Sequence, residues 1–199
     1  GIEPMTTLKI LSGGAAQGLV GRLALAFKAE TGFDIAGEFG AVGGMADKLR
    51  AGVATDIIIL TAALVTKLAD EGWVSWTSIK DVGRVETALA VRIGDLPVEA
   101  RDAGALRQAF LGSDEIYVPD TKTSTAGIHV AKVLDQLDIA NDVADRLRVF
   151  PNGATAMRHL AESRARHPIG CTQATEIINT EGVKLSGSLP PGCELATMY

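Results

Sequence analysis

The chain has 199 residues, 47% of them hydrophobic and 22% charged, with a formal net charge of −5. That balance supports a packed core and excludes an intrinsically disordered chain, and the acidic charge argues against nucleic acid or an anionic membrane surface as a partner. No apolar run approaches the ~18 residues that a spanning helix requires, so membrane insertion is not expected.

Residues 1–4, ahead of Met5, read as an expression scar, and Met5-Thr6-Thr7-Leu8 runs into the first strand without a signal peptide. Cloning from a mature N-terminus produces the same start, so both a cytoplasmic and an exported protein fit. Residues 8–11 form a short apolar run that stops at Ser12-Gly13-Gly14. Residues 15–31 carry Leu19, Leu23, Ala26 and Phe27 at helical spacing, and Gly32 closes them. Residues 34–39 read as a strand. Gly43-Gly44 precedes a short helix at 45–51, and Asp56-Ile57-Ile58-Ile59-Leu60 is a β-branched run of the kind buried on both faces of a parallel sheet. Thr61 can cap the next helix, which Gly72 stops. Three strand–helix units in succession predict an α/β fold with parallel pairing.

The pattern loosens over 73–85. Strands then follow at 87–93 and 115–118, with a helix at 103–111 between them. The loop 119–125 leads into a helix at 126–137, and a further helix is predicted at 141–148. Asn152-Gly153 precedes a helix at 154–163. Residues 168–172 form an apolar strand before a helical turn at 173–178, and the last clear strand is 183–185. Residues 5–85 read as one lobe and 86–191 as a second. Cys171 and Cys193 are too few for a disulfide framework and lack metal spacing, so they read as small packing residues, with a mutual disulfide open if the protein is exported.

Four turns share one design. Ser12-Gly13-Gly14, Val42-Gly43-Gly44, the loop Thr121-Lys122-Thr123-Ser124-Thr125, and Asn152-Gly153-Ala154 each place small or hydroxylated residues where a helix begins. A helix N-terminus has unpaired N–H groups and about half a positive charge, so it can hold an oxyanion without a cation. In an open α/β sheet such turns lie at the carboxyl ends of the strands, where ligands bind. Singly they are ordinary caps; four across two lobes point to an anion in the cleft. None matches a P-loop or dinucleotide fingerprint, Ser12 is in no hydrolase elbow, and no metal-ligand spacing or cofactor motif is present.

The opening Leu-Lys-Ile-Leu-Ser-Gly-Gly-Ala at 8–15, the turn and helix at 39–49, Thr55-Asp56-Ile57-Ile58-Ile59, the stretch 67–74 and the stretch 126–134 resemble the periplasmic molybdate-binding protein family. The resemblance implies a two-lobed type II periplasmic-binding-protein fold. Each lobe would be a mainly parallel sheet flanked by helices, with an anion between them and an ABC permease as partner. It implies a periplasmic location, a segment from about residue 192 returning to complete the first lobe, and a chain continuing some tens of residues past Tyr199. If the chain is naturally short, the hinge is weaker.

Carried over position by position, the family's first binding serine falls on Ser12. Its second falls in Val42-Gly43, where the hydroxyl is missing, and its tyrosine falls on Gln173. Backbone donors fall on Thr125, Ala126 and Gly153 or Ala154. The expected ligand-binding set is Ser12, Gly13, Val42, Gly43, Ser124, Thr125, Ala126, Gly153, Ala154 and Gln173, with Lys122 as auxiliary cation. Two changed positions imply an anion other than molybdate, either another oxyanion or a di- or tricarboxylate. Residues 119–120, 124–129, 151–158 and 169–173 are most similar to a branch that includes aconitate isomerase. As an isomerase, the chain would use His129 as the base that moves an allylic proton, with Lys122, or Arg158, holding carboxylates. Glu38 and Glu176 are alternative bases, with Glu176 expected to face solvent, and His159 and His167 read as ordinary histidines.

Overall fold

The structure, a computed structural model, describes residues 6–199; residues 1–4, read above as a scar, and Met5 lie outside the described residues. Strands β1 (Thr7–Gly13), β2 (Asp34–Gly40) and β3 (Ile57–Ile59) form a parallel sheet in the order β2-β1-β3. Parallel neighbours need crossover connections, supplied by α1 (Gln17–Thr31) and α2 (Val42–Arg50), and α3 (Ala62–Asp70) follows β3. The three expected strand–helix units are therefore present. Thr61 caps α3, its hydroxyl accepting the Leu64 N–H at 3.3 Å.

The chain then passes through a 3-10 turn (Trp76–Ser78) into β4 (Arg84–Arg92). The second sheet follows in the order β6-β5-β7-β4-β8. It is built from β4, β5 (Glu115–Pro119), β6 (Leu147–Phe150), β7 (Pro168–Gln173) and β8 (Val183–Ser188), and β9 (Ala196–Met198) pairs with the start of β4. Around it lie α4 (Ala103–Leu111), α5 (Thr125–Gln136), α6 (Ala140–Val143), α7 (Gly153–Glu162) and α8 (Ala174–Ile178). This sheet is mixed where a mainly parallel one was expected. Strand β5 runs parallel to β6 and β7, whereas β4 runs antiparallel to β7, β8 and β9. Along β4, Arg84–Glu86 pair with β9 before Thr87–Ala90 pair with β7. Pairing with β9 also starts the strand three residues earlier than periodicity predicts.

One predicted element is corrected. The helix expected at 141–148 ends early, with α6 and a 3-10 turn (Ala144–Arg146) giving way to β6, an edge strand beside β5. Pairing supplies the backbone partners there, and the Phe150 ring stacks on Tyr117 with centroids 6.0 Å apart.

Alternation explains the doubly covered second sheet. Leu89 and Val91 of β4 and Ile116 and Val118 of β5 enter a core with Leu106, Phe110, Val130 and Leu134. Ala88, Ala90 and Tyr117 face the opposite core, with Met157, Leu160 and Ile177. Cys171 and Cys193 are buried in the first of these cores as free thiols, and burial pushes Cys171 up to about 12. The first sheet has one small cluster of buried residues, Leu11, Met45, Ala46, Leu60 and Leu68.

Candidate functional site

The carboxyl ends of β1, β2, β5 and β7 meet where the two sheets face each other. A cleft there is lined by Gly14, Ala15, Gly40, Ala41, Val42, Ser124, Thr125, Gly153, Gln173, Glu176 and Tyr199. Each wall is the start of a helix. The 3-10 turn Gly14–Ala16 opens α1, Ala41 precedes α2, Ser124 precedes α5, and Asn152 caps α7 by accepting the Thr155 N–H at 2.8 Å. Neither Ala41 nor Ser124 uses a side chain as cap, so the first-turn N–H groups of α2 and α5 have no side-chain acceptor of their own. The loop before α5 is shaped by Asp120, whose Oδ1 accepts the N–H of Lys122 at 2.7 Å and of Thr123 at 2.9 Å. Those bonds hold its carboxyl below the usual range.

Seven of the expected binding residues line this cleft or sit at its wall. Val42, Ser124, Thr125, Gly153 and Gln173 line it; Ala126 is wholly buried directly behind Thr125, and the Ala154 N–H donates to Glu176. Ser12 and Gly13 lie one step behind. Ser12 is fully buried with its hydroxyl donating to the Gly13 carbonyl at 2.8 Å, and the chain reaches the cleft at Gly14 and Ala15. The Gly43 N–H donates across the cleft to the Thr123 carbonyl at 3.1 Å, tying α2 to the loop of the second sheet. With the sides joined in this way the space left is about 10 Å³, room for one water.

Lys122 is exposed and outside the lining, as is Arg158, whose guanidinium donates to Thr155 Oγ1. His129 also lies elsewhere. Its Nε2–H donates to the Cys193 carbonyl at 2.6 Å, and the ring borders a neighbouring hollow of about 500 Å³ with Thr61, Lys132 and Thr197, which meets the cleft at Thr125. A further hollow of about 630 Å³ runs along β3 and is mostly apolar. Both are roomier; the hollow beside His129 takes in the starts of α3 and α5, whereas four helix starts meet at the narrow cleft. His159 is exposed and stacks on Phe150, His167 is exposed, and Glu38 pairs with Lys48 on the surface. Among the described residues no group of three or more His, Cys, Asp or Glu is placed to hold a metal, and no helix is long and apolar enough to cross a membrane.

The residue that sequence reasoning misplaced is Glu176, which is 6% exposed rather than facing solvent. Helix α8 docks on the Gly14–Ala16 turn and on α7, carrying Glu176 inward. Thr172 Oγ1 donates to its Oε1 at 2.8 Å, and the N–H groups of Ala154 and Gln173 donate to the carboxyl as well. Burial nevertheless pushes it up to about 7, since those bonds offset only part of the desolvation. Gly14 and Gly153 press against the carboxyl so closely that a Cβ at either position would collide with it. The Tyr199 hydroxyl accepts from Gln173 Nε2 at 2.9 Å and bonds Thr125; burial and the Glu176 charge push it above its ordinary value.

A family model described as bacterial extracellular solute-binding protein matches residues 8–198. Aconitate isomerase from Pseudomonas sp is 24% identical over 208 residues, covering 99% of this chain and 75% of that protein. Among solved structures, the sulfate-binding protein SubI from Mycobacterium tuberculosis superposes with a TM-score of 0.72 at 18% identity, over 97% of this chain and 74% of that one. The periplasmic molybdate-binding protein of Azotobacter vinelandii superposes with a TM-score of 0.68 at 18% identity, over 96% and 84%.

Proposed function

The chain belongs to the bacterial extracellular solute-binding protein family, and from that premise we propose that it captures a small carboxylate or oxyanion between two lobes for an ABC-type permease. The lobes are residues 5–85, completed by the segment from about 192, and residues 86–191; the site of action is the periplasm. One observation carries the reading: four helix starts, from both sheets, converge on one cleft that, among the described residues, no lysine or arginine lines. Dipoles and N–H groups then neutralise the ligand without a fixed cation. The Gly43–Thr123 bond across the cleft opens to admit the anion and re-forms over it.

Thermal unfolding with citrate, trans-aconitate, phosphate, sulfate and molybdate tests this. At least one should raise Tm by several degrees at concentrations well above its Kd, as ligand linkage requires. Gly153→Ala, which forces a methyl against Glu176 and Thr172, should abolish that shift. No shift with any of the five would sink the reading.

Glu176 favours a second reading, an aconitate isomerase-like enzyme. A carboxyl poised near neutrality inside the cleft is matched to proton transfer. As carboxylate it would take the proton from the methylene of trans-aconitate, the double bond would shift by one carbon, and the same proton would return to the far carbon. The product is cis-aconitate, with no net change in protons. His129 and Lys122, the catalytic candidates from the resemblance, border no part of this cleft. Appearance of the cis isomer with the native chain and its loss in Glu176→Gln would establish the enzyme; no turnover would leave capture alone.

A further inference from the structure

Beside the starts of α1 and α7, the cleft carries a pair of acceptors, Gln173 and Glu176. Gln173 is 3% exposed, donates through Nε2 to Tyr199, and keeps its Oε1 buried with no hydrogen-bond partner among the described residues. An unpartnered buried carbonyl is costly and calls for a donor. Beside it, the Glu176 carboxyl takes up the Thr172 hydroxyl and the Ala154 and Gln173 N–H groups. The groups facing Glu176 are these, the Gly14 and Gly153 backbones, and the Tyr199 hydroxyl. No lysine, arginine or histidine from α1, α7, β4, β7 or β8 pairs with it. An oxyanion with acceptors all round is served by the helix starts and repelled here.

Resting on the anion-capture reading above, we infer that the cleft selects an anion carrying its own O–H, donated to Glu176 or to the Gln173 carbonyl, over fully deprotonated oxyanions of the sulfate and molybdate kind. The helix starts hold the oxyanion end, and the acceptor pair reads the hydroxyl or acid proton. Selection of this type is strong because the wrong ligand leaves buried polar groups unpaired. It is a property of the charged Glu176. Once protonated, that acid can donate to sulfate itself, and the preference narrows.

The test is calorimetric titration of the full chain at about pH 8, where Glu176 is a carboxylate, with inorganic phosphate, sulfate, molybdate, citrate and tricarballylate. Phosphate retains an O–H that sulfate and molybdate lack, and citrate differs from tricarballylate by one hydroxyl. Each donor-bearing ligand should bind about tenfold or more tighter than its counterpart. In Glu176→Gln, whose amide donates as well as accepts, each ratio should fall to about threefold or less. Sulfate, molybdate or tricarballylate binding as tightly as its counterpart would overturn the selection while leaving anion capture intact. Ratios unchanged in the variant would overturn the assignment to Glu176. Binding of no probe would remove the capture reading and this inference together. The native-chain ratios decide the selection whether or not the variant folds, and its melting curve reports whether it does.

Discussion

The two sheets contribute differently to one cleft. The second is covered on both faces, and its strands bury nearly every side chain from Ile116 to Pro119 and from Pro168 to Gln173. The first has three strands and a single small cluster of buried residues. Its long helix α1 buries only Val20, and Leu23 and Leu25 are 54% and 84% exposed. Nevertheless, each sheet contributes two helix starts to the cleft. An N–H donor needs only a correctly aimed backbone, whereas stability needs buried area. A sheet can therefore be thin in packing and still supply half of the helix starts at the cleft.

The widest gap between the sheets should appear on truncating one apolar side chain in each. Phe110 of α4 is fully buried in the larger core, so Phe110→Ala should cost about 3–5 kcal/mol. Leu23→Ala in α1 should change stability by about 0.5 kcal/mol or less, because the side chain is largely solvated already and the two residues have similar helix propensity. Urea unfolding measures both. Comparable losses would mean that α1 is covered by something in solution, and the inequality between the sheets would disappear.

Glu176 tests the contact between the sheets, since it is held by α7 and β7 while pressing on Gly14 of the first. Its folded value of about 7 lies above its unfolded value of 4.5. The native state therefore holds more protons between those limits, and stability falls as pH rises through that window. The full loss above it is about 3 kcal/mol. Glu176→Gln should match the native chain at about pH 4 and exceed it at about pH 8 by up to that amount. A difference that stays flat with pH would show that Glu176 ionises freely in solution. Glu115 in the second sheet is the internal contrast. Hydrogen bonds from the Ser163 and Tyr117 hydroxyls, with Arg148 alongside, hold its carboxyl below the ordinary range.

The strand–turn–helix grammar of the fold was readable locally. The β-branched run of β3, the cap Thr61, Asn152 ahead of α7, and the small residues at helix starts all carry local signals. What escaped was set by distant pairing. Strand β6 exists because β5 lies beside it, and β4 is extended by β9 from the far end of the chain. The site was readable as a set of turns and not as particular atoms. Ser12 drew attention as a hydroxyl, but its bond to Gly13 turns it inward and leaves Gly14 and Ala15 as lining. Glu176 sits on a five-residue helix with no informative period, and its burial comes from docking on the first sheet's turn. Its one local signal is the spacing of four residues from Thr172, across a strand-to-helix junction.

Capping offers a smaller test of the same inequality. Asn152 caps α7 at 2.8 Å in the second sheet's layer, and Thr61 caps α3 at 3.3 Å in the first. Asn152→Ala should cost about 1 kcal/mol and Thr61→Ala about half of that, following the cap ranking and the longer bond. Denaturant midpoints for the two variants decide it. A larger cost at Thr61 would place more of the molecule's cooperativity in the first sheet's layer than its packing implies.

The smallest effect is expected at His129, the histidine that the resemblance favoured as a base. Its imidazole joins α5 to the Cys193 carbonyl, on the segment that returns toward the first sheet, and it lines the roomier hollow rather than the cleft. Removing it takes away one hydrogen bond, worth about 1 kcal/mol of stability. Affinity for the best anion should stay within about twofold in His129→Ala, because none of the converging helix starts is moved. A tenfold loss, about 1.4 kcal/mol, would put the ligand in contact with the return segment. The binding surface would then run from the N-terminus of α5 along the seam between the sheets, and the four helix starts would be only one end of it.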